Sequence, residues 1–419
     1  MKRFGDARDW FIGPKLGLFV HWGLYAIHGW HEQEQMRRGI PRAEYEKLIS
    51  QFHPKQFNPD TWLDLAESAG MEYICFTTKH HDGFCLWDTA QSDYKVTNSP
   101  FGMDVLRELA DACHQRNIPL CLYYSVADWH HKNYPNRNQS HELPGPEPGD
   151  VPDIDKYINY LKSQIRELCT NYGQIHGIWW DMNQTGVEDD SIHKMIRNLQ
   201  PAAVINNRGF GKGDFGTPER DWDRSVETTL EFTEPTEACN SVGSESWGYR
   251  RDEDYYSSEY LIRSMDTILA KGGNYLLNVG PDEDGAIPQQ AMDILKHIGH
   301  WMKFASEGIK NCQPANDLTE NRSVLLTRKG NDMYVHLVDR PGTNGVWLKP
   351  LRDLPASATL LNDGSAIDVR VTHLPITHKK QNPQLHLQNL PTEKFNNEVM
   401  IIKLSEILVP ERRDNTVKK

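Results

Sequence analysis

The chain has 419 residues, 38% of them hydrophobic, and a formal net charge of -12; its mean hydropathy is -0.66. That length exceeds one typical domain and suits a barrel of roughly 250–300 residues with a smaller companion. The charge argues against a nucleic-acid partner, which needs a basic stripe to displace counterions, and no apolar run is long enough to span a bilayer.

The seven cysteines are odd in number, scattered, and form no CxxC pair; Cys75, Cys85 and Cys121 fall within or beside buried-strand patterns. They read as free thiols in a reducing compartment rather than a disulfide framework. The opening MKRFGDARDWFIGPK lacks the apolar stretch of a signal peptide. A cytoplasmic location is therefore expected, and the sequons at Asn138, Asn183 and Asn321 are expected to be chance matches.

Strand-like apolar runs recur, each closed by a polar or aromatic residue. Leu16-Gly17-Leu18-Phe19-Val20 runs into His21-Trp22-Gly23, and Glu72-Tyr73-Ile74-Cys75-Phe76 into Thr77-Thr78-Lys79-His80-His81-Asp82-Gly83. Pro119-Leu120-Cys121-Leu122 leads to Tyr123-Tyr124-Ser125, Gly177-Ile178-Trp179-Trp180 ends on Asp181, and residues 203–205 lead to Asn206-Asn207-Arg208. Helical periodicity fills the intervals, beginning at Pro59 and closing at Gly70, then through Leu106, Leu109 and Cys113, through Tyr157, Leu161, Ile165 and Leu168, and from Ile192 to Leu199. Between Arg208 and Trp247 the pattern breaks down, and only loops and short strands are expected. A helix near 258–269 and a strand at 275–280 follow.

Strand and helix alternating this often predict an α/β chain, and the length favours a closed (β/α)8-type barrel over residues 1–310. Beyond it, short strands at 323–327, 333–338, 358–361 and 399–403, parted by turn residues, predict a C-terminal β-sandwich over residues 311–419. A polar tail at 411–416 is expected to fray.

A barrel gathers its active site at the C-terminal ends of its strands, which draws attention to the strand endings at His21, at His80-His81, at Tyr123-Tyr124-Ser125 and at Asp181. Each has a plainer reading. Asp181 could cap a following helix, but Trp179 and Trp180 beside it make a sugar-stacking wall around a charged centre. His80, His81 and Asp82 could hold a metal, although neighbouring strand residues point to opposite faces. The turn Asp282-Glu283-Asp284-Gly285 lacks the remaining ligands of a calcium loop.

Several segments appear in order: Lys15-Leu16-Gly17-Leu18-Phe19-Val20-His21-Trp22-Gly23, Thr78-Lys79-His80-His81-Asp82-Gly83-Phe84, Tyr123-Tyr124-Ser125, Trp179-Trp180-Asp181, Ser246-Trp247-Gly248-Tyr249 and Asn278-Val279-Gly280-Pro281. Together they resemble the α-L-fucosidases of glycoside hydrolase family 29 over roughly residues 8–310. The resemblance implies a retaining exo-glycosidase acting on fucosylated oligosaccharides, with Asp181 as nucleophile and no metal or other cofactor. It also implies fucose-binding roles for His21, His80, His81, Tyr124, Trp179 and Arg208. The family's Glu-Trp-Tyr segment is replaced by Trp30-His31-Glu32-Gln33-Glu34-Gln35; Glu32 is taken for its glutamate, with Glu34 as the alternative. For the acid/base, Glu219 is favoured over Glu237, the latter lying in a segment that resembles Trp-Glu-x-Cys with Thr236 in place of the Trp. Two other readings stay open at this point: a metal-dependent barrel hydrolase using His80 and His81, and a non-catalytic fucose-binding relative.

Overall fold

The computed structural model describes residues 1–13, 15–220, 229–373 and 382–407; the polar tail at 411–416 lies outside them. The chain divides into two compact units. The first comprises Met1–Arg224, Thr233–Ser257 and Gly273–Gly299, and the second Ser225–Phe232, Ser258–Gly272 and His300–Lys419.

The first unit is organised around a parallel sheet of seven strands: β1 (Leu16–Val20), β2 (Tyr73–Lys79), β3 (Leu120–Ser125), β4 (Gly177–Asp181), β5 (Val204–Ile205), β6 (Glu237–Ser241) and β7 (Asn274–Val279). Their order is β5-β4-β3-β2-β1-β7-β6. Parallel strands need covered faces, so most of them read as continuous apolar runs instead of alternating ones. Strand β6, Glu-Ala-Cys-Asn-Ser, is the exception; it is polar in sequence yet buried throughout.

The sheet curls. Phe19, Tyr73, Cys75, Cys121, Tyr123, Trp179, Val204, Cys239 and Leu276 form one buried cluster. It joins β5 and β6, the two ends of the strand order, which a flat sheet would hold far apart. Residues one step along each strand face the other way, toward helices: Phe76 meets Trp62 of the helix Pro59–Ser68, and Trp180 stacks on His193 of the helix Asp190–Leu199. Isolated parallel bridges pair Phe215 with Asn206, Gly216 with Thr236, and Glu219 with Cys239.

The helices begin where side-chain acceptors satisfy their free N–H groups. Asn58, Asp104, Asp153 and Asp189 each accept a backbone N–H at the start of Pro59–Ser68, Val105–Arg116, Ile154–Asn171 and Asp190–Leu199. After the first of these the chain turns through Gly70 at φ 78°, a left-handed conformation that glycine adopts without cost.

The second unit carries two antiparallel sheets. One has the order β12-β15-β10-β9-β8, built from β8 (Gln313–Pro314), β9 (Leu325–Lys329), β10 (Asp332–Leu337), β12 (Ser357–Leu360) and β15 (Met400–Ser405). The other is β11-β14-β13, from β11 (Val346–Leu348), β13 (Asp368–Thr372) and β14 (Gln384–Gln388). Leu326, Val335 and Ile402 of the first share one apolar cluster with Leu348, Leu385 and Leu387 of the second. Inside this unit His336 is fully buried against Asp266, with Nδ1 at 2.8 Å from Oδ1. No helix among the described residues is long and apolar enough to cross a membrane.

Candidate active site

The C-terminal ends of the parallel strands surround a cavity of about 450 Å³. Of the ten sequence-derived site residues, eight line it: His21, Glu32, His80, His81, Trp179, Asp181, Arg208 and Glu219. Tyr124 and Glu237 do not.

Asp181 closes β4, its carboxylate held from two sides. Oδ2 accepts the Tyr123 hydroxyl at 2.8 Å, and Oδ1 lies 3.3 Å from Nη1 of Arg208. Burial works to raise its pKa, but Arg208 and the Tyr123 hydroxyl outweigh this and hold it below the ordinary value. The carboxylate is therefore ionised at neutral pH. The same guanidinium reaches Glu219, Nη2 to Oε2 at 2.9 Å, and is itself aimed by Thr217 through Nε–Oγ1 at 2.7 Å. One rigid fork thus bridges the two carboxylates. Glu219 is the more open of the two, its side chain 30% exposed against 13% for Asp181.

The histidines present acceptors to the cavity. Asn278 donates its amide to Ser241 and to the Trp247 carbonyl, so its Oδ1 is an acceptor and His21 Nδ1, 2.7 Å away, carries the proton. Ser125 donates to the Ala127 carbonyl and accepts from His81 Nδ1 at 2.7 Å. Both networks leave Nε2 with its lone pair; in His81 that nitrogen stands 4.0 Å from Asp181 Oδ2. Burial pushes the pKa of both rings down to about 4. His80, lowered further by burial and by His81, keeps Nδ1 without a partner among the described residues. These are neutral rings suited to sugar hydroxyls.

Of Glu32 and Glu34, it is Glu32 that lines the cavity. Its Oε2 accepts the Ser246 hydroxyl at 2.7 Å and the backbone N–H groups of Trp247 and Gly248 at 2.9 and 3.2 Å, while Oε1 has no partner among the described residues. Burial alone would raise its pKa, yet His31 and the Ser246 hydroxyl hold it below the ordinary value. Glu34 is spent elsewhere, on His28 and Arg38.

One expectation needs correction, and one alternative lies outside the cavity. Tyr124 points away from the cavity, its hydroxyl donating to Gln164 at 2.7 Å and its ring lying 4.4 Å from the Lys79 ammonium. Tyr123 takes the place expected for it, because strand side chains alternate and the residue paired with Trp179 across β3 and β4 is Tyr123. Glu237 lies in the concave face below the cavity, accepting the Tyr73 hydroxyl at 2.5 Å and the Trp179 indole N–H at 2.9 Å. It does not line the cavity. Sequence reasoning assigned no site role to Tyr123, Asn278 or Ser246, although each lies in a segment it singled out. Among the described residues no three His, Cys, Asp or Glu side chains group as a metal ion needs.

A cavity with an ionised carboxylate, a second carboxylate on the same guanidinium, neutral imidazoles and a wall of Trp179 and Trp247 defines a glycoside hydrolase. The sequence model of the alpha-L-fucosidase family matches residues 3–307, and the chain belongs to that family. It is similar to tissue alpha-L-fucosidase of Bos taurus, 29% identical over 361 residues that cover 79% of this chain and 75% of the relative. Among solved structures, alpha-L-fucosidase isoenzyme 1 from Paenibacillus thiaminolyticus superposes with a TM-score of 0.81 at 33% identity, covering 96% of this chain and 99% of that one. A GH29 alpha-L-fucosidase from Bacteroides thetaiotaomicron, trapped as a covalent intermediate with 2-fluoro-fucosyl fluoride, superposes with a TM-score of 0.78 at 25% identity, covering 97% of each chain.

Proposed function

We propose that the chain is a retaining exo-α-L-fucosidase that releases terminal α-linked L-fucose from fucosylated oligosaccharides. The observation that carries this reading is Asp181: ionised, aimed by Tyr123, and sharing Arg208 with Glu219. In the first step Asp181 attacks the anomeric carbon while Glu219 gives a proton to the departing oxygen, leaving a fucosyl ester on Asp181. In the second, Glu219 takes a proton from water, which attacks the same carbon and frees the carboxylate. His21, His80, His81 and the free Oε1 of Glu32 hold the sugar hydroxyls, contacts that strengthen as positive charge grows on the ring.

For the architecture we propose a closed barrel over residues 1–310. The segment around Phe215–Glu219 supplies the missing strand, a reading supported by its parallel bridges to Asn206 on one side and Thr236 and Cys239 on the other. For residues 311–419 we propose a β-sandwich, supported by the apolar cluster its two sheets share.

Labelling tests the function. An activated 2-deoxy-2-fluoro-fucoside should inactivate the enzyme and leave one covalently bound sugar, found on the Asp181 peptide by mass spectrometry. A label on another carboxylate, or none with turnover intact, would overturn the assignment.

A further inference from the structure

Glu237 is a buried carboxylate that the reaction above leaves unused. It opens β6 at 2% exposure and spans the concave face, meeting Tyr73 of β2 and Trp179 of β4. The reach from β2 depends on Gly17, the partner of Tyr73 across β1 and β2. A Cβ at position 17 would clash with the Tyr73 ring, closest to Cζ and 2.6 Å from each Cε.

Trp179 is the link to the chemistry. Its ring stacks on Tyr123 with centroids 5.6 Å apart and planes at 19°, and the Arg208 guanidinium sits 4.8 Å from its centroid. Tyr123 and Arg208 are the two groups that hold Asp181. An indole N–H only donates, so inside a buried face Trp179 needs an acceptor, and an unpaired buried donor is costly. Glu237 Oε1 is that acceptor.

We infer that Glu237 is a positioning residue: by accepting the Trp179 indole N–H it fixes the wall on which Tyr123 and Arg208 aim the nucleophile. The inference rests on Asp181 being that nucleophile. Burial raises the Glu237 pKa to about 7, and a carboxyl oxygen accepts the indole proton in either protonation state. The role therefore asks for an acceptor of this shape and not for a charge. A glutamine fills it, its amide oxygen toward Trp179 and its NH₂ toward the Tyr73 oxygen.

The test compares Glu237→Gln with Glu237→Leu, using an aryl α-L-fucoside and a fucosylated oligosaccharide. The glutamine variant should keep kcat and KM within about threefold on both substrates and show no response to azide. The leucine variant should lose about 10- to 100-fold, mostly in kcat, with a changed near-UV circular dichroism signal from the tryptophans. If Glu237→Leu does not fold, Trp179→Phe removes the other end of the same hydrogen bond and should show the same fall in kcat. A glutamine variant that fails on the oligosaccharide and recovers with azide would overturn the inference and make Glu237 the acid/base. Full activity in Glu237→Leu, or in Trp179→Phe where that stands in, would overturn it too. Neither outcome touches the labelling of Asp181, so failure here and failure of the proposed function stay distinguishable.

Discussion

The hydroxyl of Tyr123 donates to Oδ2 of Asp181 at 2.8 Å, across the adjoining strands β3 and β4. A hydrogen bond to a buried carboxylate contributes about 1.5–3 kcal/mol, and its direction fixes which lone pair of Asp181 stays free. With Arg208 on the other oxygen, the nucleophile has one geometry available.

Tyr123→Phe should lower kcat by about 10- to 100-fold, whereas Tyr124→Phe, whose hydroxyl serves Gln164 on the far side of the strand, should change it less than twofold. The pH profile adds a second readout. The Tyr123 hydrogen bond is one of the influences that lower the Asp181 pKa, so without it that pKa rises. Activity requires the ionised form, and the acid limb of kcat/KM should move to higher pH. Equal effects from the two tyrosines would refute the assignment of β3 faces.

Removing Glu219 should cost most where the leaving group is poor. Glu219→Ala should reduce turnover of a natural oligosaccharide by about 10²- to 10⁴-fold and suppress the glycosylation step of an activated aryl fucoside far less. Azide should restore turnover by attacking the intermediate and yield an α-fucosyl azide, with the anomeric configuration of the substrate. Absence of rescue here, together with rescue of a Glu237 variant, would exchange the two roles.

Catalysis should not depend on a divalent ion. Nδ1 of His21 and of His81 is taken by Asn278 and Ser125, and each Nε2 is assigned to substrate. Dialysis against a strong chelator should leave kcat and KM unchanged. Loss of activity that zinc or manganese restores would favour the metal-dependent hydrolase instead.

Glu237 also predicts a pH dependence of stability. Burial lifts its pKa from the ordinary 4.5 to about 7 in the folded protein. Folding then favours the protonated form, so its contribution is present below pH 4.5 and is lost as pH rises through 7. The gap corresponds to on the order of 3 kcal/mol. Glu237→Gln removes it, and the variant should gain on the native protein by about that much between pH 4.5 and 8 in urea unfolding. Parallel stability curves for the two proteins would contradict a buried, proton-binding Glu237.

Much of the candidate site was legible because a curled parallel sheet places polar side chains where its apolar runs stop. His21, His80, His81 and Asp181 each follow or end such a run. Tyr124 was misplaced by one residue, and in a strand one residue is a whole face. Strand β6 gave no apolar signal because Glu237 is buried by hydrogen bonding and not by hydrophobicity, so composition alone could not mark it as interior. Glu32 could be separated from Glu34 only by their partners, at 246–248 far along the chain for Glu32 and at the neighbouring His28 and Arg38 for Glu34. The helix Gln289–Ile309 was not singled out, although Ile294, Ile298, Trp301, Met302 and Ala305 recur at helical spacing and are buried.

The absent side chain at Gly17 lets Tyr73, its neighbour on β2, reach Glu237 on β6, which is not adjacent to β2. Any larger residue there displaces the Tyr73 ring, which strands the Tyr73 hydroxyl from Glu237 and loosens Trp179. Descendants of this sequence can therefore alter residue 17 only by first shrinking residue 73, and can shrink residue 73 only by finding Glu237 another donor. Positions 17, 73, 179 and 237 are coupled through these contacts, so a change at 17 is felt at the Trp179 wall. A library that randomises position 17 alone will recover only glycine there.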